Sequence, residues 1–521
     1  AGATLSFPSD ETLLVLGEAP ELARALHAAL SAAGIRAVHV LPGQKTRRVA
    51  PDRYEVNLTR DADVRRLADE IRRGGSGRVG GLVNLLTLTD SMRKRGLNGL
   101  QAPLRLVRWL TNVDRTFEDD IRASSDRGGG WLLNLTTLDV RFCLRGRGEL
   151  PVAQAGSLCF FKSLAREWRG TRLKNVDLDP QADPQALVVG LIQELSAWDD
   201  TVEVGIDGEG RWRLELEDAP LAGDAADDLT AGLDRDAVVL ATGGARGITA
   251  EVLKDLAART GARLVVIGRT PEPAEEPEGL ASLARLEDLR GHLLAEMRRA
   301  DPSVLPAQVE ARVEEVLRDR AIRRNLQAFR DAGSVVEYHA VDVRDSKSFG
   351  ALIDGLYERH GRIDGVIHGA GRIEDRWLKD KTLESLARVF ETKVTSAMVL
   401  ARKLRPESLR FLAFFSSVSG RFGNAGQTDY SAANEYLNKL AAHLDRIWPG
   451  RVVSMAWGPW DAGMVPDGLR AAYRQRGIEL IPVASGVRSF VDEIAHLEMH
   501  QPEVVLTCTP DRIAAGTDPV S

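Results

Sequence analysis

The chain has 521 residues, 44% hydrophobic and 28% charged, with a formal net charge of −6. That balance is ordinary for a soluble globular protein and announces neither a nucleic-acid partner nor a membrane partner. The length exceeds what one hydrophobic core usually fills, so at least two core-forming units are expected.

The cysteines are Cys143, Cys159 and Cys508. Their spacing fits neither a disulfide framework nor a zinc site, so no metal and a reducing, cytoplasmic setting are expected. The opening AGATLSFPSDETLL lacks the regions of a signal peptide, and no apolar run is long enough to span a bilayer. The missing initiator methionine reads as a piece cut from something larger.

In chain order, TLLVLGEAPELARALHAAL (12–30), GLVNLLTLTD (81–90), WLLNLTTLDV (131–140) and GSLCFFKSLAREWRGTRLKNVDLDP (156–180) alternate predicted strands and helices. The linker LAGDAADDLTAGLDRD (221–236) then places a boundary near residue 230. AVVLATGGARGITAEVLKDLA (237–257) follows as strand, glycine turn and helix. RLVVIG, VVEYHAVDV, GVIHGAG, RFLAFFSSVSG and RVVSMAWGPW recur after it as apolar strands, with helices between most of them. The expected fold is therefore α/β with parallel sheets, in two Rossmann-like subdomains. The first half, 1–230, echoes the second, 231–521, as a truncated, degenerate copy. Where the second half has TGGARG the first has GEAP, and Gln154 falls at the position matching Tyr430. Residues 271–330 break the alternation with charged, helix-period sequence. They predict a helical hairpin inserted into one βα connection, with a partner-docking surface as the alternative.

Thr242, Gly243, Gly244, Ala245, Arg246, Gly247 and Ile248 follow a strand and open a helix, where glycines let backbone approach a pyrophosphate. Thr249 stands where a smaller residue is usual, which questions tight packing there. The second strand ends in Ile267, Gly268 and Arg269. An NAD-preferring protein usually places an acid there, whereas arginine suits the extra phosphate of NADP, with Arg246 on the other side. Asp342 and Val343 end the third strand, at the place for adenine, and Gly369, Ala370 and Gly371 give a second close backbone approach.

Reducing a ketone with hydride needs a proton donor, a second donor to orient the carbonyl, and a cation to acidify the first. Tyr430, Ser417 and Lys393 are the candidates, with Asn434 four residues after the tyrosine on the same helical face. The lysine and asparagine are exchanged relative to most short-chain dehydrogenases. In that exchange the chain resembles the ketoreductase domains of polyketide synthases, a kind of short-chain dehydrogenase/reductase. The resemblance covers nearly the whole chain. With TGGARG and the long insertion, it looks closest to iterative enediyne and polyunsaturated-fatty-acid synthases.

The resemblance implies NADPH-dependent reduction of a β-ketoacyl thioester held by phosphopantetheine on an acyl carrier protein, beside other domains of the same synthase. It implies that Tyr430 protonates the oxygen, Ser417 fixes the carbonyl, Lys393 lowers the tyrosine pKa and binds the nicotinamide ribose, and Asn434 holds a water. Ile373, Glu374 and Asp375 match a Leu-Asp-Asp motif tied to the D (3R) alcohol. Phe422 stands where the opposite class carries tryptophan. Loops after Trp460, through GMVPDGLRAAYRQRG, are expected to form a substrate lid. Two other readings stay open: a free-standing dehydrogenase acting on a diffusible ketone, and a non-catalytic cofactor-binding scaffold domain.

Overall fold

A computed structural model of the chain describes all residues except 1–4, 75–76, 90–91, 93–100, 145–148, 198, 208–209, 220–231, 463–466, 498–500 and 516–521. Most of the expected linker, and the boundary near 230, lie outside the described residues.

The first half builds a nine-stranded sheet from β1 (Glu11–Leu16), β2 (Arg36–Pro42), β3 (Arg47–Ala50), β4 (Arg53–Val56), β5 (Arg78–Asn84), β6 (Trp131–Thr136), β7 (Arg172–Leu178), β8 (Glu203–Ile206) and β9 (Arg211–Arg213). Their order across the sheet is β3-β4-β2-β1-β5-β6-β7-β8-β9. Only β3 and β9, at the two edges, run antiparallel to their neighbours. The second half builds a seven-stranded parallel sheet from β10 (Val238–Thr242), β11 (Arg263–Gly268), β12 (Val336–Ala340), β13 (Gly365–His368), β14 (Phe411–Ser417), β15 (Arg451–Trp457) and β16 (Glu503–Leu506). Its order is β12-β11-β10-β13-β14-β15-β16. Central strands such as β1, β10 and β15 are buried at every position, which is why their sequences are mostly apolar, without a polar alternate face.

The sheets share one strand order, and they differ in the crossover between the second and third parallel strands. In the first half β2 reaches β4 through the short β3, with no helix. The expected truncation is thus a lost crossover helix; the strand set is complete and gains two edge strands. In the second half the same crossover holds helices Glu278–Ala281, Leu286–Ala300 and Pro306–Asp331. Leu289 and Leu293 pack on Val309, Val313 and Val316 to close the hairpin, while Ile322, Leu326 and Phe329 of the last helix enter the core of the second sheet.

The halves meet through four helices. Ala102–Ser125 and Gly156–Glu167 of the first pack on Leu383–Lys403 and Thr428–Asp445 of the second. Leu110, Phe160, Phe161 and Leu164 share one apolar core with Phe390, Leu437 and Leu440. A buried ion pair crosses the seam: Glu203, already paired with Lys162 of its own half at 2.6 Å, also takes Arg421 from the other half. No described helix is long and apolar enough to cross a membrane.

Gly423 sits at this seam with φ +71°, and a Cβ there would come within 2.7 Å of the Lys162–Ser163 backbone. Gly423→Ala should therefore lower the unfolding free energy by about 1–3 kcal/mol. Urea titration would register this as a lower midpoint with an unchanged slope.

Candidate active site

The strand order of the second sheet reverses at β10, which lies between β11 and β13, and open parallel sheets leave a crevice at the carboxyl ends of such strands. Here it is a cleft of about 450 Å³. Of the residues expected at the cofactor, Gly243, Arg246, Gly247, Ile248, Arg269, Asp342, Val343, Gly369, Ala370 and Gly371 line it. Thr242 and Gly244 lie beneath it. The Thr242 hydroxyl pairs with Nδ1 of His368 at 2.7 Å and accepts from the Ala370 amide, tying β10 to β13. Gly244 faces Leu253 and Ala241.

Local sequence explains the shape. Gly243 has φ +69°, and a Cβ on it would press to 3.1 Å against the Gly369–Ala370 backbone. Thr249 is accommodated because its partner is glycine: a Cβ on Gly369 would meet the Thr249 hydroxyl at 2.2 Å. The helix Gly247–Thr260 begins at the cleft, so its unpaired N–H groups and positive dipole end face a bound anion. Asp342, expected to hold adenine, lines the cleft with its carboxylate already held by Arg344, at 2.6 and 3.0 Å. This donor set fits a dinucleotide: glycine backbone and a helix start for a pyrophosphate, guanidinium groups for further anionic charge.

The four candidate catalytic residues gather beside this cleft, next to Gly371 and Thr392 of its lining. Lys393, only 3% exposed, projects from helix Leu383–Lys403 and donates to the Phe415 carbonyl at 2.7 Å. Its ammonium lies 5.6 Å from the centre of the Tyr430 ring. Gly371 leaves it room, since a Cβ there would approach the Lys393 chain at 3.1 Å. Ser417 ends β14, its hydroxyl accepting from the Ser419 amide at 3.2 Å. Tyr430 stands in the first turn of helix Thr428–Asp445, and Asn434 Nδ2 donates to the Tyr430 carbonyl at 2.8 Å. Asn434 Oδ1 is buried with no partner among the described residues, an acceptor that calls for a water or ligand donor.

Burial raises the Tyr430 pKa, and the Asn434 and Ser417 side chains pull against it. Burial alone pushes the Lys393 ammonium down to about 7. His368, buried between Thr242 and the Lys393 carbonyl, is pushed to about 3, first by burial and then by Lys393, so it stays neutral.

Asp375 lies near enough to Tyr430 to act on its ionisation, and it accepts from Gln427 at 3.0 Å. Glu374, the middle residue of the matched motif, is instead occupied by Arg388 at 2.8 Å and Ser385 at 2.7 Å. Phe422 does not line the cofactor cleft. It lines a separate concavity with Lys162, Arg166 and Glu203, and its carbonyl accepts from Arg166. Within the stretch expected as a lid, residues 463–466 lie outside those described; helix Asp467–Gln475 brings Tyr473 within electrostatic reach of Tyr430 and Asp375.

Sequence reading missed several supports. Lys381 and Asp429 form a fully buried ion pair of 2.8 Å just before Tyr430, and Lys381 also donates to the Glu374 carbonyl. Glu167, from the other half, accepts from the Leu378 and Gly426 amides at 2.8 and 2.9 Å, joining the loops on either side of the entrance. Only the adjacency of Asp429 to Tyr430 could have signalled any of this.

The corresponding region of the first half is filled. Asn84, Asn134 and Asn175 bond to one another across β5, β6 and β7. Gln154, at the position matching Tyr430, spends its side chain on Thr137. The first turn of this half carries Glu18, Pro20 and Glu21, adding negative charge and removing an amide donor where an anion would sit.

Residues 237–462 match the family model described as KR domain. One chain of a polyunsaturated fatty acid synthase from Thraustochytrium is 28% identical over 384 residues, 71% of this chain and 13% of that protein. Polyketide synthase GfsA of Streptomyces halstedii is 28% identical over 418 residues, 78% of this chain and 5% of that protein. The chain thus spans a small part of these relatives. Among solved structures, an N-terminal ketoreductase from the macrolactin assembly line superposes with a TM-score of 0.69 at 19% identity, covering 99% of this chain and 90% of that one. The first ketoreductase of the tylosin polyketide synthase gives 0.68 at 22%, covering 95% and 90%. Residues 237–462 are thus similar to the KR domain family, a nicotinamide-dependent class, and the chain as a whole shares the two-sheet fold of these ketoreductase structures.

A lysine with a folded pKa near 7 and its ordinary value of 10.5 when unfolded takes up protons on unfolding between those limits. Its burial cost is full below about pH 7 and fades as pH rises to 10.5. Lys393→Met should accordingly raise the thermal midpoint most at pH 6 to 7, with the gain shrinking toward pH 10. Scanning calorimetry across that range reads the effect directly.

Proposed function

We propose that the chain reduces the β-keto group of an acyl thioester, carried on the phosphopantetheine of an acyl carrier protein, to the β-hydroxyacyl thioester, using NADPH. The observation that carries this reading is the meeting of Lys393, Ser417, Tyr430 and Asn434 beside the dinucleotide-shaped cleft. Relatives named as polyketide and polyunsaturated fatty acid synthases favour a carrier-bound substrate and neighbouring synthase domains as partners. Arg246 and Arg269 in the cleft, with no ion-pair partner among the described residues, favour NADPH over NADH.

The bound cofactor supplies the hydride. Tyr430 gives its phenolic proton to the substrate oxygen as negative charge develops there. Ser417 donates to the same oxygen and fixes the carbonyl. Lys393 stabilises the phenolate left behind, and its ammonium is itself restored to full charge when an anionic ligand enters the cleft. Asn434 offers its free Oδ1 to a water that returns a proton to Tyr430. Asp375, beside Tyr430 at the entrance, favours the substrate orientation that yields the D (3R) alcohol.

Absorbance of NADPH should fall with time when the chain meets a short β-ketoacyl N-acetylcysteamine thioester. Tyr430→Phe should cut that rate by at least about 10²-fold while NADPH binding persists. Chiral chromatography should find mainly the D product. An unchanged rate in Tyr430→Phe would overturn the tyrosine's role, and cofactor binding without turnover in the native chain would favour a scaffold.

A further inference from the structure

The inserted hairpin reaches the cofactor cleft. Helix Pro306–Asp331 runs for 26 residues, and Arg318, Ile322 and Asn325 fall on one face at intervals of four and three. Ile322 and Arg318 both line the cleft, and Asn325, 3% exposed, donates to the carbonyl of Ala245 in the glycine turn at 2.8 Å. The helix therefore grips the turn through Asn325 and carries Arg318 to the wall where Arg246 and Arg269 stand.

The segment leaving β11 is strapped to the same helix. Arg320 and Arg323 hold Glu276 at 2.8 and 2.9 Å, Arg323 donates to the Ala274 carbonyl, and Arg330 holds Glu272 at 3.0 Å. These ties fix the backbone just after Arg269 against the helix that carries Arg318. Three guanidinium groups thereby face one wall of the cleft, close enough that Arg318 and Arg269 both disfavour a proton on Arg246. Like charges so placed repel one another, and the carboxylates near them are already engaged: Asp342, the one carboxylate among the described residues lining the cleft, is held by Arg344, and Asp319 and Glu315 lie at 3.1 and 3.8 Å from Arg318. Arg318 is 30% exposed and rests on Asp319 at 3.1 Å, a partner it can exchange for a doubly charged phosphate.

We infer that Arg318, supplied by the insertion, is a third ligand of the cofactor's 2′-phosphate and makes the hairpin a determinant of cofactor choice. The inference rests on the NADPH reading above, and the same titration separates the two.

Dissociation constants for NADPH and NADH would be measured by cofactor fluorescence on the full chain, in the native form and in Arg318→Ala, Arg318→Lys and Arg269→Ala. Competition by 2′-AMP and 5′-AMP would be measured in parallel. The expected result is native preference for NADPH, a loss of about tenfold for NADPH and 2′-AMP in Arg318→Ala, little change for NADH and 5′-AMP, and partial retention in Arg318→Lys. If Arg269→Ala weakens NADPH but Arg318→Ala does not, the role of Arg318 is overturned and the NADPH reading stands. Equal weakening of NADPH and NADH by Arg318→Ala would also overturn it, as a general effect on the cleft. Native affinity for NADH matching that for NADPH would remove both.

Discussion

The packing of two helices from each half into one shared core is the constraint on which the site depends. Helices Leu383–Lys403 and Thr428–Asp445 carry Lys393 and Tyr430, and the same helices bury Phe390, Leu437 and Leu440 against the first half. Each large apolar side chain so buried contributes roughly 1.5–3 kcal/mol. A few of them hold the helix axes firmly enough to fix a 5.6 Å relation between an ammonium and an aromatic ring. The geometry of the candidate site is set by packing along the same helices that carry it.

That dependence gives the first half a role without chemistry. It retains the strand order and the helices that face the seam, and it fills its own crevice with asparagine amides that satisfy one another. It then contributes directly to the entrance through Glu167, whose carboxylate, pushed up to about 7 by burial, joins two loops of its neighbour. The loss of a binding turn and the retention of a packing face are compatible because they lie on different sides of the same fold.

The α/β alternation and the candidate turn 242–248 were legible from local spacing of strand, turn and helix, whereas the candidates 393, 417, 430 and 434 were singled out by resemblance to a family, and the structure brings these four together. The insertion was legible as a helical hairpin, but its second helix continues into the core as the crossover helix of the sheet, which no charge pattern announced. Glu167 bonds to amides 211 and 259 residues away, and the ties from Arg320 and Arg323 to Glu276 cross 44 and 47 residues. Contacts of that range leave no periodic trace. Phe422 was named from its interval to Tyr430 alone; that interval carried no information about its neighbours, which include Lys162 and Arg166 of the other half.

Because both halves belong to one chain, their docking is intramolecular. An interface between separate chains weakens on dilution, whereas a tethered one faces a fixed effective concentration set by the linker. The entrance loops held by Glu167 and the helices seated on Phe160 and Phe161 thus keep their alignment however scarce the protein is. Each molecule also contains one open crevice and one filled one in fixed ratio, so the filled half is constrained by its seam and its own core and not by a ligand.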